Sequence, residues 1–217
     1  MNKFKFLLML LVLGSIFFAC FITINSFVFK DGRNINIVVP SKKFNILDKE
    51  VDEYIDSTKS KYNKLYNLAS NSKVFNKNNF YLNIYYKEYD SDRFMSYIFF
   101  SEYFLGGAHP THEIFTINYD KKNKKIINID DIIKNEEVLK TISSESYKYF
   151  SKQKAFNNSD IKGMLKIGTK PIKDNFKYFV LTNDGIIFFF ERYQIAPYYY
   201  GELEFFITYK NSKIKIY

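Results

Sequence analysis

The sequence predicts an α+β fold: a mostly antiparallel β-sheet with two main helices, preceded by an N-terminal transmembrane helix. Three observations carry this prediction. Residues 6–29 contain no charged side chain. Apolar residues recur at three- and four-residue steps from Leu47 to Ala69. Beyond residue 80, aromatic and β-branched residues alternate in short runs separated by turn residues.

The apolar run would be roughly 36 Å long as a helix, enough to cross a bilayer core of about 30 Å. Lys3 and Lys5 stand before it, which keeps the N-terminus cytoplasmic and exports the rest. Only a few residues precede the run, so no cytoplasmic domain is expected there. An uncleaved anchor over 6–29 is one fate; acylation at Cys20 as a lipoprotein or cleavage as a secretory signal are the others. Phe17 and Phe18 fit poorly before a lipidated cysteine, and FITINSFVF continues apolar beyond it. All three fates place the bulk of the chain outside the cytoplasm.

The 217 residues are 47% hydrophobic and 20% aromatic, ample for a core and against general disorder. The formal net charge of +9 draws the protein to polyanions. Extracytoplasmic placement excludes nucleic acid and leaves an anionic wall or lipid surface. Cys20 is the single cysteine, so neither an intrachain disulfide nor a cysteine metal cluster is available.

After a short strand in 31–40, ended by Pro40, Leu47, Val51, Tyr54, Ile55, Thr58, Tyr62, Leu65, Tyr66 and Ala69 form one helical stripe. Asn45 is the expected N-cap, with Asp48 in the first turn. FYLNIYYKEY (80–89) alternates as a strand, Asp90-Ser91-Asp92 is a turn, and FMSYIFFSEYF (94–104) is a second strand. HEIFTINY (112–119) and KIINI (125–129) read as a hairpin with a solvated lysine-rich tip. Asp130 and Asp131 open a helical turn. A second helix runs from Glu136 to Lys152, capped by Asn135, with a thinner stripe suited to an outer face. Residues 153–168 read as mixed, broken by Gly163 and Gly168. Strands at 175–182, 185–193 and 203–209 close the chain, the first two joined by Asn183-Asp184-Gly185.

Two stretches resemble a known family. YFLGGAHPTHEIFTINYDKKNKKIINIDDII (103–133) and LTNDGIIFFFERYQIAPYYYGELEFFITY (181–209) are similar to the RsiV-like extracytoplasmic domain, which usually follows a PdaC-like N-terminal module. The resemblance implies an anchor or signal segment at 1–30, a PdaC-like module at 31–104 and an RsiV-like module at 105–217. It implies a module that works by binding: a lysozyme receptor in the anti-sigma factors, and a companion to a separate catalytic domain in PdaC-like proteins. This chain departs from both, so neither sigma-factor capture nor deacetylase activity is carried over. A net charge of +9 also repels a strongly basic lysozyme at long range, unless one face is acidic. The expectation is a non-catalytic module for a protein or a cell-wall glycan, with no cofactor. A peptidoglycan hydrolase or deacetylase using His109 or His112 is the alternative.

The candidate binding residues lie in two loops: Gly106, Gly107, His109 and Pro110 in the first, and Tyr193, Ala196, Pro197, Tyr198, Tyr199 and Tyr200 in the second. Gly106-Gly107 and Pro110 forbid a helix, so His109, His112 and Glu113 cannot use helical metal-ligand spacing. With His112 on a strand and His109 just before it, the three-residue step sends the two to opposite faces. A metal would need a further ligand such as Glu102 or Asp120. The first loop therefore reads as a glycine turn with a hydrogen-bonded histidine, or as a loop in direct ligand contact. Three consecutive tyrosines cannot all face inward on a strand, so at least one is exposed. They read as an aromatic plug or as a surface for a sugar or protein.

Overall fold

A computed structural model of the protein describes residues 23–28, 34–71, 79–212 and 214, with the backbone alone for 23–28. The elements are β1 (Thr23–Val28), β2 (Asn34–Val39), α1 (Asn45–Ser70), β3 (Tyr81–Asp90), β4 (Phe94–Phe104), β5 (Thr111–Asp120), β6 (Lys125–Ile126), α2 (Ile129–Ile132), α3 (Glu136–Ser151), α4 (Ser159–Gly168), β7 (Phe179–Leu181), β8 (Gly185–Phe190), β9 (Leu203–Thr208) and α5 (Tyr209–Ser212).

The strands form two sheets, not the single sheet expected. One has the order β1-β2-β3-β4-β5-β6 and the other β7-β8-β9. Pairing is antiparallel except between β2 and β3, which α1 connects as a crossover. Four layers result: α1, the six-stranded sheet, the three-stranded sheet, then α3 and α4. Leu47, Val51, Ile55 and Tyr62 of α1 pack on Leu82, Ile84, Tyr97 and Phe99. Ile98 and Ile114 from the other face meet Val180 and Phe189 of the small sheet. Phe188, Phe190 and Phe205 turn away to Ile142, Phe150 and Leu165 on the last layer. The unbroken IIFFF run of β8 follows from this: both of its faces are covered, so it has no reason to alternate.

Hydrogen bonds stitch the two sheets where their layers cross. Asn118 Nδ2 donates to the Phe179 carbonyl at 2.9 Å, and the Leu181 N–H donates to Ser96 Oγ at 3.1 Å. The change of layer falls between β6 and α2. Position 104/105, the expected module boundary, falls in the turn between β4 and β5, which pair from Phe94↔Asp120 to Tyr103↔Thr111.

Several local expectations change. Residues 23–28, the end of the apolar run 6–29, form an edge strand antiparallel to β2 rather than helix. Thr23, Ile24 and Val28 are β-branched and Phe27 is aromatic, residue types that favour a strand. Residues 6–22, including Cys20, lie outside the described residues; no described helix is long and apolar enough to cross a membrane. Asn45 begins α1 rather than capping it. Phe44 occupies the N-cap in extended conformation without a side-chain cap. Its ring packs on Tyr119 at 4.9 Å, and Asp48 reaches back to accept the Lys43 N–H, so packing replaces the usual cap. Asn135 does cap α3, accepting from the Val138 N–H at 2.9 Å. Residues 159–168 form α4 through Gly163, capped by Asn158, because Ile161 and Leu165 gain burial that outweighs the cost of a helical glycine. The strands expected at 175–182 and 185–193 shrink to 179–181 and 185–190.

Candidate functional site

The β4–β5 register sets Glu102 directly opposite His112, on the face turned toward the small sheet. His112 Nε2 lies 3.2 Å from Glu102 Oε2, and the Tyr81 hydroxyl donates to Glu102 Oε1 at 2.5 Å. On the other side of the ring, Nδ1 is 3.8 Å from Glu202 Oε1, which accepts from Arg192 Nε at 2.8 Å. A chain thus runs Tyr81, Glu102, His112, Glu202, Arg192 across both sheets. Burial holds the His112 imidazole below its ordinary value, aided by the Arg192 charge; the two carboxylates oppose this only in part. The ring is therefore neutral near pH 7, and its proton belongs on Nε2, the nitrogen within hydrogen-bond distance of a carboxylate. Burial, and then the hydrogen bond to Glu102, raise the Tyr81 hydroxyl.

The glycine turn lays the other histidine against this chain. Gly106 and Gly107 have φ of 91° and 116°, left-handed conformations that glycine adopts without a Cβ penalty. The turn carries His109 over the Tyr198 ring, with centroids 4.1 Å apart and planes at 29°. Arg192 caps the same ring, its guanidinium carbon 4.4 Å from the centroid. The Tyr198 hydroxyl donates to the Pro110 carbonyl at 3.1 Å. His109 Nδ1 is 2.9 Å from that carbonyl, and the Tyr193 hydroxyl makes a long 3.5 Å contact with His109 Nε2. His112 meets Tyr198 edge-on at 5.7 Å. The expectation of opposite faces for the two histidines is thus corrected: both touch Tyr198, because His109 precedes the strand and is not bound by its alternation.

The second loop is held by Gln194. Its Oε1 accepts from the Glu191 N–H, and its Nε2 donates to the carbonyls of Gly168 and Asn175. This clamp fixes Tyr193 in a left-handed backbone conformation, φ 66°. Tyr193 and Tyr199 are 56% and 76% exposed; Tyr199 is the exposed member that three adjacent tyrosines require. Pro197 leads the 3-10 turn of Tyr198–Tyr200. Ala196 is buried in the outer core and offers no surface. Tyr200 packs on Phe156 and donates to the Ala155 carbonyl, so it plugs the fold as an aromatic cover.

Beside His109 opens a cleft of about 530 Å³ whose lining includes Asn34, Phe80, Tyr81, Phe104, Gly107 and Pro110. Tyr81 and Phe104 stack across β3 and β4, their rings 6.2 Å apart. Rings and short polar groups in one concave site suit a ligand with flat apolar faces and hydroxyl or amide edges. Among the described residues no three His, Cys, Asp or Glu side chains are grouped to hold a metal ion.

Residues 130–210 match the DUF3298 family, described as proteins of unknown function. That match spans α2 to β9, which carries the second loop and Glu202. The chain is also 36% identical over 136 residues to the peptidoglycan-N-acetylmuramic acid deacetylase PdaC of Bacillus subtilis (strain 168). The aligned part is 62% of this chain but 28% of that protein, so the chain spans under a third of this curated relative. The fold is that of solved DUF3298 proteins. One, from Pseudomonas aeruginosa PAO1, superposes with a TM-score of 0.62 at 17% identity, covering 89% of this chain and 93% of its own. Another, from Bacteroides fragilis NCTC 9343, gives 0.58 at 18%, covering 90% and 94%.

Tyr81, Arg192 and Glu202 were not among the residues expected from sequence, and Glu102 entered only as a possible metal ligand. Glu102 had a usable signal: counting outward along a hairpin centred on Gly107 pairs it with His112. Arg192 and Glu202 had none, because they reach the site only through the packing of one sheet on the other.

Proposed function

We propose that this chain is a membrane-tethered, non-catalytic binding module of the bacterial cell envelope that holds a cell-wall glycan in the cleft beside His109. The supporting observation is the closure of two sequence-distant loops around one His109–Tyr198–Arg192 stack that borders a cleft walled by Tyr81 and Phe104. Sugar rings present apolar faces to such aromatics and hydroxyls to the surrounding polar groups. Similarity to a protein named for its action on peptidoglycan supports the wall as partner. The charge-free residues 6–22 behind Lys3 and Lys5, about the shortest run that spans a bilayer, support the tether and the outward placement.

A second reading is a wall deacetylase or hydrolase that uses His109 or His112, favoured by the activity named for the PdaC relative. Geometry supports binding over catalysis. A general base needs a free nitrogen within about 3 Å of the substrate proton, whereas the ring nitrogens of both histidines face protein groups.

Titration calorimetry of the full chain in detergent with isolated peptidoglycan glycan strands tests the reading. His109→Ala and Tyr198→Ala are each expected to weaken binding about tenfold, the loss of one aromatic contact of about 1.4 kcal/mol, with the circular dichroism spectrum unchanged. No acetate or sugar is released. Unaltered affinity in both variants overturns the site. Product release that disappears in His109→Ala or His112→Ala establishes the enzymatic reading, and retention of a lysozyme but no glycan reassigns the ligand to a protein.

A further inference from the structure

We propose that the free edge of β5 is a docking strand for an extended, basic peptide segment of a partner protein. The Asn118 carbonyl accepts from the Ile127 N–H at 2.8 Å, so the Asn118 backbone faces the β6 side. In an antiparallel strand the groups facing one side recur every second residue. The N–H and C=O of Thr116 and Ile114 therefore face the same way. There β5 has no strand partner among the described residues, since β6 pairs only with Tyr119 and Asp120.

The edge is the floor of a groove. Two clefts of about 730 and about 270 Å³ share Glu50, Phe115, Lys177 and Tyr178, and together they run beside β5 from Glu113 to Asn118. One wall is α1 and the other is the segment 177–179. At about 3.3 Å per residue the edge gives roughly 20 Å, room for five or six extended residues. An open edge of this kind adds a peptide by main-chain hydrogen bonds, and flanking pockets select alternate side chains. Tyr54 and Phe115, stacked at 4.6 Å, offer an apolar wall for one such side chain.

Charge defines the occupant. The groove carries Glu50, Glu53, Glu113 and Glu191 against Lys61 and Lys177, an acidic surface on a chain of net charge +9. It therefore favours a basic segment where most of the molecule repels one. The inference rests on the groove alone and does not depend on the glycan reading.

The test is fluorescence anisotropy of the full chain with a labelled hexapeptide of alternating Lys and Val, its Glu-Val counterpart, and two Lys-Val versions N-methylated on alternate amides. The Lys-Val peptide is expected to bind and the Glu-Val peptide to fail. Methylation in one phase abolishes binding while the other phase leaves it intact, the signature of a strand added by one edge. The double substitution Glu50→Lys, Glu53→Lys, on the solvent side of α1, weakens binding about tenfold without changing the circular dichroism spectrum. Equal loss in both methylated phases, equal binding of the Glu-Val peptide, or no effect of the double substitution overturns the proposal. So does a dimer in sedimentation that occupies this edge and excludes the peptide.

Discussion

His112 and Asp120 are two polar side chains placed by the same strand, with opposite consequences. His112 is held neutral by burial and by Arg192. An unfolded chain protonates it at about pH 6.5; the folded chain takes the proton only at lower pH. Stability is therefore full above that value and falls as pH drops below it. His112→Gln is expected to flatten this part of the pH profile, read by urea unfolding at a series of pH values; an unchanged slope counts against the assignment. Asp120 has a fully buried side chain paired with Arg93 at 2.7 Å, and it accepts the N–H groups of Lys122 and Asn123. Burial alone would raise its pKa, but Arg93 and Asn123 hold it below the ordinary value. Asp120→Ala leaves Arg93 half-buried without that partner and frees the lysine-rich turn. A loss of about 3 kcal/mol is expected, measured by chemical denaturation.

Glycines separate two roles within one element, α4. A Cβ at Gly168 would lie 2.1 Å from the Gln194 carbonyl oxygen, which is backbone and cannot step aside. Gly168→Ala is expected to destabilise by about 1–3 kcal/mol and to loosen the clamp that holds Arg192 and Tyr193. Gly163 has no atom within 4 Å of its would-be Cβ. There the same change is expected to stabilise by about 0.5–1 kcal/mol, through helix propensity and a less free unfolded chain. Thermal melts of the two variants check the opposite signs. The helix containing both glycines was not legible in the sequence. Its stripe is short, and glycine is the ordinary signal of a break; only the packing of Ile161 and Leu165 on the small sheet decides for helix. α1 was legible almost to the residue, because a stripe from Leu47 to Ala69 specifies its own period.

At the scale of the whole molecule, the two sheets share an interface of Ile98, Ile114, Val180 and Phe189, all at most 3% exposed, crossed by the Asn118 and Ser96 hydrogen bonds. Neither sheet covers its own inner face. The two are expected to unfold together, with the same urea midpoint reported by probes on α1 and on α3. Ile98→Ala should lower both midpoints by an amount equivalent to about 2–5 kcal/mol. Separate midpoints would show two independent units. The candidate site depends on this interface, since Glu102 and His112 come from one sheet and Arg192, Tyr198 and Glu202 follow from the other.

The sequence by itself determined the class of the fold, the period of each long element, the hairpin tips and the two loops that form the candidate site. These are local properties: side-chain alternation, turn chemistry and caps act over a few residues. Tertiary structure alone decided that the strands divide into two stacked sheets, that residues 23–28 pair as an edge, and that both histidines meet Tyr198. It also chose which of the three tyrosines stacks on His109, which covers the core and which is exposed. Those outcomes depend on which apolar face finds which partner, a contact between residues distant in the chain that no local pattern encodes.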